Sequence, residues 1–366
     1  MEKYKLISLV LAMIMLVMTG CSGGKTATTF KTEADGSGSE LEESIHQSIT
    51  RYSNAGIFSG VVFIAQDEEV LMHRAYGKAD YEENKDHDKD QIYQIGSLTK
   101  AMTGLVIMQL QQEEKLHVED LLEIYIPSFP HSNKITIQQL LSHTSGLPSQ
   151  PWEIDLDINL YRTKNASKNN EEQHLELLSP PGSKFSYSNI GYTLLGFIIE
   201  ELTEKSLEDV MSERIFKPLD MKNTTFNVED IDQNQLAKAY YKKNEVISEK
   251  GWWDVNVGPR GGGGLYSTIS DLYKWDQGLY SEKLLEKQYL DEIFKLQIDS
   301  THQSDYSYGW FLDTHNNNVI FQHDGISAGY HTYIYRNLQD KKTIIILSNF
   351  QQSPIWSIVG DIKGFL

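Results

Sequence analysis

The chain has 366 residues and 40% hydrophobic content, enough for a sizeable core. That length predicts two domains, or two lobes sharing one cleft. Its 51 Asp and Glu outnumber 33 Lys and Arg, a formal charge of −18. A surface this acidic repels phosphate backbones and anionic lipid heads, which argues against nucleic acid as a partner. With Cys21 as the single cysteine, neither an intrachain disulfide nor a cysteine-based metal site can form.

The N-terminus carries two lysines in Met1 to Lys5, an apolar run from Leu6 to Met18, then Thr19-Gly20-Cys21. The run is shorter than the roughly 20 residues that span a bilayer. This is the layout of a secretory signal. A cysteine directly after Thr-Gly resembles a bacterial lipobox, with Met18 a weaker match at its first position. The resemblance implies cleavage before Cys21 and a lipid on its thiol. An uncleaved anchor and a chance cysteine remain the alternatives. The expected organisation is a signal over 1–20, a small polar tether over 21–40 and a folded body over 41–366. The expected location is the outer face of the cell membrane.

In the body, Leu41, Ile45, Ile49 and Tyr52 form one helical stripe that Gly56 ends. "GVVFIAQDEEVLMHRAYG" reads as a hairpin turning at "QDEE". "IYQIGSLTK" leads into a helix with Met102, Leu105, Val106 and Leu110 as its buried face. A mostly helical middle runs to about Gly278, with a helix capped around Ser270. "YGWFLDTHNNNVIFQHDGISAGYHTYIYRNLQDKKTIIILSNF" reads as a strand meander, and "SPIWSIVGDIKGFL" as a last helix. Strands at both ends with helices between predict an α+β fold. An antiparallel sheet is assembled from both termini, with helices on it and a second, mainly helical lobe.

Three short stretches carry chemistry. Ser97 and Lys100 are three apart, so on a helix they share a face. A lysine with a lowered pKa can take the serine proton. A serine N-cap has the same appearance, and alone the pair reads as that cap. Tyr187-Ser188-Asn189 sits on the lead-in to a helix. A tyrosine beside a cationic lysine can shuttle protons, because a stabilised phenolate lowers its pKa. The asparagine carboxamide can bond a substrate amide. His323-Asp324-Gly325 follows a strand, and its glycine permits close approach of a ligand. Each of the last two also reads alone as packing, capping or a surface turn.

Together, in this order, Ser-x-x-Lys, Tyr-x-Asn and His-x-Gly resemble the penicillin-recognising serine hydrolases. This is the group of class C β-lactamases, serine DD-peptidases and related esterases. "LLSHTSGLP", "PPGSKFSYSNIGYTLLG" and "GGGGLYSTISDLYKW" look like the same family, and the likeness runs from about Leu41 to Leu366. It implies a β-lactamase/transpeptidase-like fold with the active site between its lobes. It implies Ser97 as the acylated nucleophile, Lys100 as its base and Tyr187 as the relay to the leaving group. Asn189 would hold the acyl-side amide. His323, Asp324 and Gly325 would line the leaving-group side. The backbone N–H groups of Ser97 and Ile326 would form the oxyanion hole. The implied reaction needs no metal or organic cofactor.

Asp324 departs from the Thr or Ser common there in carboxylate-binding relatives. Facing the site, it would repel a substrate carboxylate; on a strand it can instead point away. Weak or absent β-lactamase activity is expected from Asp324 and from His323 in place of lysine. His143 in "SHTSG" reads as a structural turn, and the glycines 261–264 as a tight loop near the cleft. Trp252, Trp253 and Trp275 read as core. The expected substrate is a small acyl or peptidoglycan-derived molecule. Cell-wall D-amino-acid peptidase and esterase or amidase remain open, with a non-hydrolytic penicillin-binding or sensor lipoprotein as the alternative. A monomer is expected.

Overall fold

The computed structural model describes residues 39–151, 156–162, 175–246, 260–295, 305–315 and 318–366. Cys21, the tether up to Gly38, Trp252 and Trp253 lie outside them. Strands β1 (Gly60–Gln66) and β2 (Glu69–Tyr76) come from the N-terminal part. Strands β3 (Tyr306–Ser307), β4 (Trp310–His315), β5 (Asn318–Ser327), β6 (Tyr330–Asn337) and β7 (Lys342–Ser348) come from the C-terminal part. They form one seven-stranded sheet in the order β2-β1-β7-β6-β5-β4-β3, with every pairing antiparallel. The chain ends meet where β1 pairs with β7, Gly60 opposite Ser348 and Gln66 opposite Lys342. This is the α+β arrangement expected from the sequence.

The central strands are nearly continuous apolar runs because both faces of the sheet are covered. Val62, Ile64, Ile344 and Ile346 face helix α1 (Glu40–Asn54) and the last helix, Ile355–Phe365, through Ile45, Ile49, Ile358 and Ile362. Val61, Phe63, Ile345 and Leu347 belong to the larger core on the other face. That core includes helices α2 (Thr99–Gln112), α3 (Asn189–Thr203) and α4 (Ile269–Gly278). Alternation along each strand sends successive side chains to the two cores. The sheet is also tied to α4 by a fully buried ion pair, Arg336 Nε to Asp276 Oδ1 at 2.8 Å. Thr343 Oγ1 donates to the other carboxylate oxygen at 2.7 Å.

Helix α2 differs from the one-faced helix expected. Every residue from Thr99 to Leu110 is buried, because other elements pack all round it. Gly104 makes this possible: a Cβ there would lie 2.4 Å from the Tyr308 carbonyl oxygen. The turn at Tyr308-Gly309 thus presses directly on the helix, behind Lys100. Helix α4 is capped by Thr268, whose side chain accepts from the Asp271 N–H at 3.2 Å, and not by Ser270, which bonds Asp90.

Gly104→Ala is expected to destabilise the protein by about 1–3 kcal/mol through overpacking against backbone. In an open helix the same change would stabilise by roughly 0.5–1 kcal/mol. The sign of the shift in urea midpoint, at unchanged m-value, checks this.

Candidate active site

Ser97 lies in a single 3-10 turn, Gly96–Leu98, that runs straight into α2. No side chain caps this entry, so the N-cap reading of Ser97 is replaced. Gly96 has φ +54°, and a Cβ there would sit 3.0 Å from Ile326 N. Thr99 Oγ1 closes the turn on the Gly96 carbonyl at 2.8 Å. Ser97 keeps partial exposure while Lys100, one turn on, has none.

Lys100 Nζ has three partners from three segments. They are Ser97 Oγ at 3.0 Å, Asn189 Oδ1 at 2.7 Å and the Gly262 carbonyl at 2.6 Å. Burial lowers its pKa from 10.5 to about 7, and the charge on Asp324 opposes that shift. A neutral amine has two N–H groups and one lone pair. The two shorter contacts are to oxygens that can only accept, so the lone pair falls to the Ser97 hydroxyl, the one partner able to donate. The sequence predicts the Ser97–Lys100 pair; it does not predict the Gly262 carbonyl. The signal was the glycine run. Gly261 has φ +100°, and a Cβ on it would lie 2.5 Å from the Tyr192 carbonyl oxygen. Thr103 Oγ1 donates to the Gly261 carbonyl at 2.7 Å.

Helix α3 starts at Asn189 because Ser188 caps it, accepting from the Gly191 N–H at 3.2 Å. Tyr187 precedes this cap. Ser97 lies close enough to act on its phenol, and Lys100 Nζ lies 4.9 Å from its ring centroid. The lowered Tyr187 pKa expected from the sequence is corrected. Burial pushes the phenol well above its usual value, and the field of Asp324 adds to this against the effect of Ser97. A lysine whose own pKa falls to about 7 carries only part of a charge near neutral pH, too little to offset the burial of the phenol.

His323, Asp324 and Gly325 lie on β5. His323 is opposite Ile334 of the larger core, and Asp324 is opposite Tyr333 of the other. The Asp324 carboxylate therefore turns away from Lys100's side of the sheet, and its Oδ2 lies 3.9 Å from His331 Nε2. The alternation of the strand puts the Asp324 carboxylate on the opposite face from His323, with its field still reaching Lys100 and Tyr187. His323 Nδ1 donates to the Asp324 carbonyl at 2.6 Å, so its Nε2 accepts from the Tyr306 hydroxyl at 3.2 Å. Burial holds its pKa at about 4, which leaves it uncharged at neutral pH.

Ser327 and Tyr330 flank a two-residue turn between β5 and β6. The alternation of an antiparallel ladder then directs the amide groups of Gln322, Asp324 and Ile326 to the far edge of β5. Strand β4 covers that edge only as far as Gln322. The Ile326 N–H is left facing the Gly96–Leu98 turn, where the first N–H groups of the helix also lack intrahelical partners. Gly325 allows the approach, since a Cβ there would lie 2.1 Å from the Ile95 carbonyl oxygen. The arrangement holds a half-exposed hydroxyl, a buried amine, a phenol and two convergent N–H groups. That set can form and break an acyl bond on Ser97.

A family model described as Beta-lactamase matches residues 43–355. The chain belongs to the beta-lactamase family. It is a serine hydrolase of that family, and its neighbours show the β-lactamase and penicillin-binding-protein fold. It is 29% identical over 311 residues to penicillin-binding protein 4* of Bacillus subtilis (strain 168), covering 81% of this chain and 69% of that protein. Other curated relatives are matched over 61% of their length. Among solved structures, the octameric penicillin-binding protein homologue from Pyrococcus abyssi has a TM-score of 0.73 at 25% identity, over 86% of this chain and 75% of that one. The D-amino acid amidase from Ochrobactrum anthropi SV3 has a TM-score of 0.72 at 20% identity, over 89% and 99% of the two chains, a likeness of fold.

With p-nitrophenyl acetate, kcat/KM is expected to rise with pH and level off above about 7, because a protonated Lys100 cannot take the Ser97 proton. Lys100→Arg, which stays charged, is expected to remove this limb along with most of the rate. A flat profile between about pH 5 and 8 in the wild type would contradict a lysine base.

Proposed function

We propose that the protein hydrolyses D-amino-acid amides, esters or peptides through an acyl-enzyme on Ser97. The observation that carries this is the contact of Lys100 Nζ with Ser97 Oγ at 3.0 Å, inside a set that also holds Asn189 and Gly262. Ser97 Oγ attacks the acyl carbonyl as its proton passes to neutral Lys100. The oxygen of the tetrahedral intermediate takes the N–H groups of Ser97 and Ile326. Tyr187, held protonated by burial, gives its proton to the departing amine or alkoxide, and the proton that Lys100 took from Ser97 then restores the phenol. Water then enters, loses a proton to the same groups and releases the acid. Asn189 Oδ1 orients both Lys100 and the acyl-side amide.

The leaving-group side favours neutral donors. His323 is uncharged near pH 7, and the field of Asp324 reaches Lys100 and Tyr187 although its carboxylate faces away. A carboxylate on the leaving group would meet no cation from His323. This supports an amidase or esterase over a β-lactamase or a carboxypeptidase, whose leaving groups carry a carboxylate, and the D-amino acid amidase shares the fold.

We place the enzyme outside the cell, anchored through a lipid on Cys21 and facing the cell wall. The charged start, the apolar run and the Thr-Gly-Cys sequence support this. Incorporation of labelled fatty acid, lost in Cys21→Ser, tests it. Among the described residues, no helix is long and apolar enough to cross a membrane. The monomer expected from the sequence gains no support from the octameric relative.

A panel of p-nitrophenyl esters, D-alanine p-nitroanilide, a D-Ala-D-Ala peptide and a chromogenic cephalosporin tests the reading. Turnover of the esters and the anilide is expected, with the cephalosporin slow. Ser97→Ala is expected to lose on the order of 10⁴-fold or more in kcat, at a nearly unchanged melting temperature. Rapid cephalosporin turnover would overturn the substrate class, and full activity in Ser97→Ala would overturn the nucleophile.

A further inference from the structure

The stretch "SHTSG" reads from sequence as a turn, yet it places an imidazole in the aromatic wall of the site. His143 is fully buried, with φ +57°. Left-handed backbone is uncommon outside glycine, with asparagine, aspartate and histidine the usual exceptions. Its carbonyl accepts from the Ser186 N–H at 2.7 Å, and its Nδ1 accepts from the Ser188 N–H at 3.1 Å. These are the residues on either side of Tyr187. The His143 ring itself lies 4.2 Å, centroid to centroid, from the ring of Tyr187. One residue therefore holds Tyr187 at three places: the peptide before it, the peptide after it and the face of its ring.

The tautomer follows from these bonds. Nδ1 accepts, so the hydrogen sits on Nε2, which is buried and has no hydrogen-bond partner. Around it stand the rings of Tyr192 at 5.0 Å and Tyr306 at 4.6 Å. A buried donor without a partner lowers stability, and a phenylalanine would fill the same space without that loss. The feature that only the imidazole supplies here is the Nδ1 acceptor for Ser188. Ser188 is also the cap of α3, so the same bond fixes where Asn189 begins the helix.

We propose that His143 is a positioning residue that sets the Tyr187 hydroxyl against Ser97 by clamping the backbone on both sides of Tyr187. The proposal rests on the reading of Tyr187 as the relay to the leaving group. His143 touches neither substrate nor the reacting atoms. Displacing a reacting group by about 1 Å can cost on the order of 10²-fold in rate. Loss of the clamp is expected to act on kcat, with KM little changed, and to act most on amide donors, whose amine must be protonated to leave.

The test compares His143→Asn with His143→Gln on D-alanine p-nitroanilide. Asparagine tolerates left-handed backbone and can put its side-chain oxygen where Nδ1 stands; glutamine reaches the place of Nε2 instead. His143→Asn is expected to keep kcat close to wild type, and His143→Gln to lose on the order of 10²-fold at similar KM. Tyr187→Phe is run alongside, alone and combined with His143→Gln. If His143 works through Tyr187, the double variant loses no more than Tyr187→Phe. Equal kcat in the two His143 variants, or additive losses in the double, would overturn the clamp. Full activity in Tyr187→Phe would instead overturn the relay reading on which the clamp rests.

Discussion

A buried amine with three partners organises this molecule. Lys100 is enclosed, and a charged group there loses its hydration. It is tolerated because Ser97, Asn189 and the Gly262 carbonyl each supply an oxygen within hydrogen-bond reach. Those oxygens come from the turn before α2, the first residue of α3 and a glycine loop far along the chain. The site can exist only if all three segments arrive together. Gly104, Gly261 and Gly325 are the places where backbone comes too close for a side chain: a Cβ there would lie 2.4, 2.5 and 2.1 Å from neighbouring carbonyl oxygens. Close packing of the segments and the lowered pKa of the amine are thus one property. Looser packing would admit water and return Lys100 to its charged form.

The second constraint is charge. Lys100 is the single cation of the catalytic set, and its proton is held weakly. Tyr187 is held protonated and His323 is held neutral, both by burial. The site then has a base, an acid and almost no fixed charge facing the substrate. Asp324 contributes a field from the far face of β5, where His331 is its nearest basic group. It raises the Lys100 pKa against burial, so it trims the base from a distance.

Much of this was legible in the sequence. The pairing of β1 with β7 followed from strands at both ends of the chain. Ser97, Lys100, Tyr187 and Asn189 came from the resemblance that the three motifs carry together, and the structure brings their side chains together. What was not legible has physical reasons. Backbone carbonyls carry no residue signature, so the role of Gly262 as acceptor was hidden inside a glycine run. The direction of Asp324 depends on strand register, which a local motif does not set. The rise in the Tyr187 pKa depends on total burial, whereas a motif shows only the charge nearest to it. His143 was visible but ambiguous, because a left-handed turn and a backbone clamp require the same residue at the same place.

The central claim is that the acyl group passes through Ser97. It is tested most directly by acid-quenching the wild-type enzyme during turnover of a D-alanine ester and mapping the added mass by peptide sequencing. The account predicts a D-alanyl adduct on the peptide containing Ser97, formed and lost at rates that match turnover. Steady turnover with no adduct on Ser97, or an adduct on another residue formed at the rate of turnover, would contradict it.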